Sequence, residues 1–250
     1  MPVSVAMVEA INPQPGQTLL ELAAGPGDTG FLAAELIQPG GTLICSDLVP
    51  EMLTVAQERA AALGLTNVRF RQIDIETAID QPAASVDGVL CRWGFMLLAD
   101  PDTALGETRR VLKRGGRVAF AAWGPPEDNP WSRLPARVAA EQGIAPLPDP
   151  AAPGQFAWAR EGICQAALEN AGFGDIEVED VWFAYRYPTF EAWWETLLDT
   201  SQSIHELLGR LDSGRRDAYV AGVRAAAEPY AGSDGDLEFV ARSWVAAGTA

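Results

Sequence analysis

The stretch LLELAAGPGDTG, residues 19–30, decides the fold class of this chain. An apolar run ends in the acid Glu21, and the chain then turns through Gly25, Pro26 and Gly27 into an alanine-rich helical pattern. This order is typical of a strand, a glycine turn and a helix start. Such a turn lets backbone approach a ligand closely, and the start of a helix offers free N–H groups to an anion. The segment therefore predicts a site for a nucleotide-like cofactor.

Strand and helix patterns alternate on both sides of this stretch. Apolar runs bounded by turn residues predict strands, and longer amphipathic stretches between them predict helices. Such alternation builds βαβ units, so we expect an α/β, Rossmann-like fold with a mostly parallel sheet and helices on both faces. The predicted strands are 17–23, 41–47, 67–73, 85–92, 114–123, 175–187 and 236–247, and the predicted helices are 28–37, 50–63, 101–112, 160–171, 189–209 and 214–228.

The rhythm changes after Trp123, where proline and glycine become frequent. We expect a single domain over 1–250, with a cofactor-binding half at 1–123 and a substrate-side half at 124–250. A helical insert at about 189–230 separates the last two predicted strands.

The charge balance argues against a nucleic-acid partner. The chain has 18 Lys and Arg residues against 34 Asp and Glu, a formal net charge of −16. Nucleic-acid binding depends on cations that neutralise phosphates, and these are scarce here. The basic run at 109–117 lies at the C-terminal end of a predicted helix, where the helix dipole favours cations. We therefore interpret that run as structural.

Targeting and metal-binding patterns are also missing from the sequence. No apolar stretch of about 18 residues and no signal-peptide pattern occur, so we expect a cytoplasmic protein with no membrane partner. One histidine and three separated cysteines do not make a zinc site, and we expect no metal. A homodimer is compatible with these features.

The glycine pattern alone leaves the cofactor open, because Gly25-x-Gly27-x-x-Gly30 also fits a dinucleotide fingerprint. Asp47 follows the second predicted strand, in the usual place for an acid that binds a ribose diol. Asp74 follows the third, between two isoleucines that could flank an adenine. A dinucleotide needs neither this third acid nor Glu21. A zwitterionic amino-acid tail needs an anion for its ammonium group, which favours S-adenosylmethionine (SAM).

Four segments together resemble class I SAM-dependent methyltransferases, in particular the small-molecule methyltransferases of ubiquinone and menaquinone biosynthesis. The resemblance implies SAM as the cofactor, methyl transfer to a small acceptor, and a seven-stranded sheet whose last strand is antiparallel. The segments are LLELAAGPGDTG (19–30), CSDLVPEMLTVAQERA (45–60), VRFRQIDIE (68–76) and VLCRWGFMLLADPDTALGETRRVLKRGGRVAFAAW (89–123).

The resemblance also assigns roles to individual residues, from the methionine end of the cofactor to its adenine. It implies that Glu21, Ala23, Gly25 and Gly27 hold the methionine moiety, that Asp47 binds the ribose hydroxyls, that Leu48, Met52, Asp74 and Ile75 surround the adenine, and that Cys91 and Arg92 lie under the sulfonium.

One feature departs from the resemblance. Family members have one or two helices before the first strand that close over the cofactor, whereas only about 16 residues precede it here, with one or two helical turns predicted at 3–11. We expect either a truncated start or a lid supplied from elsewhere.

The acceptor site is less clearly marked. Five aromatic residues are candidates for an apolar or aromatic acceptor pocket, although plain packing explains them equally well. On the predicted helix 189–209, Trp194 and His205 fall near one face, which should look into the protein or into a cleft, whereas Glu195 and Asp199 lie on other faces and should be solvated. His205 is a candidate general base, but a packed or rim histidine is the favoured interpretation. Trp182 and Trp244 alternate within strands, and we expect both in the core. The acceptor candidates are Trp93, Phe95, Trp123, Trp193 and Trp194.

Two other functions stay open at this point. An NAD(P)-dependent oxidoreductase could use the same glycine turn, but the chain has no Tyr-x-x-x-Lys pair. A non-catalytic SAM-binding protein would keep the fold without turnover.

Overall fold

A computed structural model describes residues 2–149 and 152–250 of the chain. The strands are β1 (Thr18–Glu21), β2 (Thr42–Asp47), β3 (Val68–Gln72), β4 (Val86–Arg92), β5 (Leu112–Trp123), β6 (Gly174–Tyr187) and β7 (Leu237–Thr249). The helices are α1 (Pro2–Ile11), α2 (Gly30–Leu36), α3 (Pro50–Ala62), α4 (Pro101–Val111), α5 (Pro130–Glu141), α6 (Ile163–Asn170), α7 (Phe190–Thr200), α8 (Gln202–Gly209) and α9 (Ser213–Ala227).

The seven strands form one sheet in the order β3-β2-β1-β4-β5-β7-β6. The pairs from β3 to β5 are parallel, and β7 runs antiparallel to β5. The predicted fold class is confirmed, including the antiparallel last strand. The chain order reverses where β1 lies between β2 and β4. Ligands of open α/β sheets bind beyond the carboxyl ends of the strands at such a switch point.

Local sequence signals explain several of the helix starts. Asp100 caps α4, because its carboxylate accepts a hydrogen bond from the backbone N–H of Thr103 at 3.0 Å, and Pro101 stands just inside the helix. Pro50 likewise stands at the start of α3. These helix starts lie where the sequence places them.

The chain divides into two compact units. The first unit comprises 1–123, 153–181 and 243–250, and its buried strands β1, β4 and β5 carry an apolar core. No helix among residues 2–149 and 152–250 combines the length and the apolarity that crossing a membrane requires.

The second unit comprises 124–152 and 182–242. Its core gathers apolar side chains from α5, α7, α8, α9 and the first half of β7. The largest of them are fully buried, and they are Trp193, Tyr219 and Phe239.

Two expectations about the second half were wrong. The predicted helix 189–209 breaks at Ser201, whose hydroxyl accepts a hydrogen bond from the N–H of Ile204 and so starts α8 as a separate helix. Trp182 was expected in the core but is 51% exposed on the edge strand β6, where the Arg242 guanidinium lies 5.1 Å from its ring centroid. Trp244 is buried, as predicted.

Candidate active site

The turn after β1 has the conformation that its glycines were expected to permit. Ala23, Gly25 and Gly27 have φ angles of +48°, +53° and +87°. A Cβ atom on Gly27 would lie 2.4 Å from the Phe31 ring, whereas one on Gly25 would meet no atom within 4 Å. Gly25 therefore faces open space in a backbone conformation that side chains rarely adopt. The strained backbone of Ala23 carries no signal in the sequence.

Glu21, at the end of β1, is a buried acid tied to this turn. Its Oε1 atom accepts a hydrogen bond from the N–H of Gly30 at 2.8 Å, at the start of α2. Its Oε2 atom is buried, and no donor among the described residues reaches it. Burial raises the pKa of this carboxyl to about 8, although the Gly30 hydrogen bond and the charge of Arg92 oppose the shift. An unpartnered buried oxygen of this kind fits a ligand that brings its own donor.

Asp47, at the end of β2, is tied to the same turn. One carboxylate oxygen accepts the N–H of Gly25 at 2.8 Å, and the other accepts the N–H of Val49 at 2.9 Å. Each oxygen of a carboxylate can accept a second hydrogen bond. Asp47 is thus oriented by the backbone and still able to accept two hydroxyl groups.

The end of β3 lies beside Asp47, since the N–H of Ile73 donates to the Asp47 carbonyl at 3.1 Å. Asp74 is partly buried and accepts the N–H of Glu76, while Ile75 is buried. Leu48 and Met52 are 55% and 43% exposed. These exposed apolar side chains next to a polar strand end offer a surface suited to a flat ring.

The end of β4 meets the end of β1. A Cβ atom on Gly94 would lie 2.9 Å from the Cβ of Ala23 and 2.7 Å from the Cys91 sulfur. Burial raises the pKa of the Cys91 thiol to about 12, so it stays protonated and unreactive. Trp93 stacks on Trp123 with 4.2 Å between ring centroids, and its indole N–H donates to Ser243.

A charged network that the sequence did not reveal surrounds the glycine turn. The Asp28 carboxylate forms ion pairs with the guanidinium groups of Arg59 at 2.8 Å and Arg92 at 2.9 Å. Arg59 also donates to the Pro26 carbonyl at 2.7 Å, and Arg92 donates to the Ser4 hydroxyl on α1 at 3.2 Å. Asp28 lies within the quoted motif, but its partners are 31 and 64 residues away along the chain. Only the folded chain reveals this network.

The acceptor candidates lie in both units. In the first, Phe95 is buried against Phe120 and Trp158, and Trp123 is buried under Trp93. In the second, Trp193 is fully buried and its indole N–H donates to the Trp131 carbonyl. Trp194 is half-buried and stacks on Phe190 with 6.1 Å between centroids.

His205 lies on α8 and is exposed. The sequence placed it on one continuous helix with Trp194, and that expectation was wrong, because the helix breaks at Ser201. The solvated positions expected for Glu195 and Asp199 are confirmed.

Comparison with known proteins agrees with this geometry. A family model described as a methyltransferase domain matches residues 13–145. The chain belongs to this methyltransferase family. It is 39% identical over 108 residues to a demethylmenaquinone methyltransferase of Thermus thermophilus, covering 43% of this chain and 48% of that protein. It is 30% identical over 201 residues to nocamycin O-methyltransferase of Saccharothrix syringae, covering 76% and 71%.

The chain spans about half the length of several of these relatives, among them the Thermus methyltransferase. Solved structures of the methyltransferase fold extend the similarity over nearly the whole of this chain. A protein described as a putative methyltransferase from Bacillus halodurans superposes with a TM-score of 0.64 at 19% identity, covering 98% of this chain and 97% of that one. At this identity the likeness establishes the fold of both halves.

Proposed function

We propose that this chain transfers the methyl group of SAM to a small, largely apolar or aromatic acceptor. The observation that carries the proposal is that two strand-end acids are bonded to one glycine turn: Glu21 to the N–H of Gly30 and Asp47 to the N–H of Gly25. Both acids lie at the carboxyl ends of neighbouring parallel strands, next to the switch point of the sheet. An ammonium group and a ribose diol need acids in this arrangement.

The residues around the turn would each bind a different moiety of the cofactor. Glu21 would receive the ammonium group on its unpartnered oxygen, while the open turn at Ala23, Gly25 and Gly27 would admit the rest of the methionine moiety. Asp47 would accept the ribose hydroxyls. Adenine would lie against Leu48, Met52, Asp74 and Ile75, and the sulfonium would lie beside Cys91 and Arg92.

SAM supplies an electrophilic methyl group on a cationic sulfur, so the protein chiefly has to position the acceptor and exclude water. A general base is required only when the acceptor is still protonated. His205 is our candidate for that role.

The acceptor is proposed to be a small organic molecule. Three relatives are named for demethylmenaquinone, nocamycin and aklanonic acid. The stacked pair Trp93 and Trp123 and the half-buried Trp194 are aromatic surfaces suited to such a compound, and we keep Phe95 and Trp193 as candidates whose burial favours a packing role.

A nucleic acid is not proposed as the acceptor. Four of the five basic residues at 109–117 are engaged within the first unit. Arg110 pairs with Glu107, Lys113 with Asp87 and Arg117 with Glu177, while Arg109 donates to the Gly172 carbonyl.

Calorimetry on Asp47→Ala tests the cofactor site. Loss of a carboxylate that binds the ribose leaves the hydroxyls unpaired, which costs about 1–3 kcal/mol, so SAM affinity should fall by about fivefold to 150-fold. Asp87→Ala is the matched control, because Asp87 also accepts a backbone N–H at 2.8 Å, that of Thr18, but at the amino end of β1.

Asp87→Ala should lower stability and leave SAM affinity unchanged. Equal affinities in folded Asp47→Ala and wild-type protein would exclude the ribose assignment. Formation of S-adenosylhomocysteine from SAM with a panel of phenols and naphthoquinols then separates an enzyme from a non-catalytic binder.

A further inference from the structure

The ion-pair network beside the glycine turn has a consequence for charge in the site. Arg92 follows Cys91 at the end of β4, and its side chain is only 17% exposed. A guanidinium cannot release its proton in proteins, so Arg92 is a permanent, poorly solvated cation. Asp28 is its partner at 2.9 Å.

Asp28 is itself firmly ionised. Its partial burial would raise its pKa, but the hydrogen bonds from Arg59 and Arg92 outweigh this effect and lower the pKa below the usual value. The charges of Arg92 and Asp28 both act on Glu21, the first lowering and the second raising its pKa. Both charges therefore lie within electrostatic reach of the buried acid of the proposed cofactor site.

We propose that Asp28 is a positioning and charge-balancing residue that shifts the binding preference of the site towards cationic SAM relative to neutral S-adenosylhomocysteine. This inference rests on the proposed function, in which the sulfonium lies beside Arg92. An unbalanced guanidinium there would repel the sulfonium, whereas the thioether of S-adenosylhomocysteine carries no charge to repel. Asp28 cancels that repulsion and also holds Arg92 in place.

The second partner of Asp28 adds a geometric role. Arg59 reaches both the Asp28 carboxylate and the Pro26 carbonyl, so it braces the glycine turn from α3. Loss of this brace would weaken both ligands to the same extent, because both share the methionine, ribose and adenine moieties. The ratio of the two dissociation constants therefore isolates the charge effect from the geometric one.

The test is calorimetry with SAM and with S-adenosylhomocysteine on matched variants. Asp28→Asn should raise the ratio of the SAM to the S-adenosylhomocysteine dissociation constant about fivefold, as expected for unit charges separated by several ångströms in a partly screened site. The double variant Asp28→Asn/Arg92→Leu should return the ratio to within about twofold of wild type, since Arg59 is more exposed and better screened.

Asp128→Asn is the control variant. Asp128 forms an ion pair with Arg242 at 3.0 Å, and the exposed fractions of the two side chains, 29% and 20%, resemble those of the Asp28–Arg92 pair. Asp128 belongs to the second unit. This variant should leave the ratio unchanged.

An equal loss of affinity for both ligands in Asp28→Asn would overturn the proposal and leave Asp28 a structural brace. If Asp28→Asn does not fold, Arg92→Leu decides, because removal of the guanidinium should lower the ratio, and an unchanged ratio contradicts the proposal. A wild-type protein that binds neither ligand would instead overturn the proposed function.

Discussion

The two units differ in the groups that they bury alongside an apolar core. In the first, Glu21, Thr29, Ser46 and Asp47 are buried in or near the turn after β1. In the second, the large buried side chains are Trp193, Tyr219 and Phe239. Burying apolar surface stabilises a fold, whereas burying an incompletely bonded acid costs stability. We propose that the first unit retains this costly polar centre for a ligand, whereas the described apolar core of the second unit serves packing.

The largest effect is expected from Trp193→Ala. This variant removes a fully buried indole and its hydrogen bond to the Trp131 carbonyl, so the free energy of unfolding should fall by about 3–5 kcal/mol. Urea unfolding measures it, with the exposed Trp182→Ala as the control that changes little. SAM affinity, measured at a temperature where the variant is folded, should be unchanged. A large loss of affinity would contradict the separation of packing from cofactor binding.

Gly25→Val should abolish cofactor binding. A side chain at φ +53° would project into the open space of the turn, where the methionine moiety is proposed to lie. Gly64→Val is the matched control, because Gly64 has φ +71° and equally open surroundings but lies two residues after the end of α3.

Both glycine variants should lose roughly 1–2 kcal/mol of stability from backbone strain, but only Gly25→Val should fail to bind SAM in calorimetry. If Gly25→Val binds SAM normally, the cofactor lies elsewhere.

Glu21→Gln should change how stability depends on pH. The pKa of Glu21 rises from the ordinary 4.5 to about 8 on folding, so the folded state holds this proton more tightly than the unfolded state. The contribution of Glu21 to the free energy of unfolding is therefore fully present below pH 4.5 and is lost as pH rises towards 8. In thermal unfolding between pH 5 and 9, the melting temperature of Glu21→Gln should rise relative to that of wild type as pH increases. Parallel curves would show that Glu21 titrates normally.

The smallest change in stability is expected from His205→Ala. The side chain is exposed, so the free energy of unfolding should stay within about 0.5 kcal/mol and SAM affinity should not change. Turnover should nevertheless fall if His205 removes a proton from the acceptor. Wild-type turnover with every acceptor that the enzyme methylates would remove His205 from the mechanism.

The first half could be predicted from the sequence because its signals are local. Strand-end acids, glycines at positive φ and Pro or Asp at helix starts each act within a few residues, as at Glu21, Gly25 and Asp100. The second half depended on tertiary context. Trp182 alternates like a core residue but lies on an edge strand, and the serine cap that divides 189–209 competes with a continuous apolar pattern. Ion pairs such as Asp28 with Arg92 join distant parts of the chain and leave no local pattern.

Titration of the wild-type chain with SAM and, separately, with NADH tests the central claim most directly, because the glycine turn alone fits both cofactors. The proposed site predicts saturable binding of SAM and no heat of binding from NADH, since only SAM brings an ammonium group to the unpartnered oxygen of Glu21. Binding of NADH without binding of SAM would contradict the account.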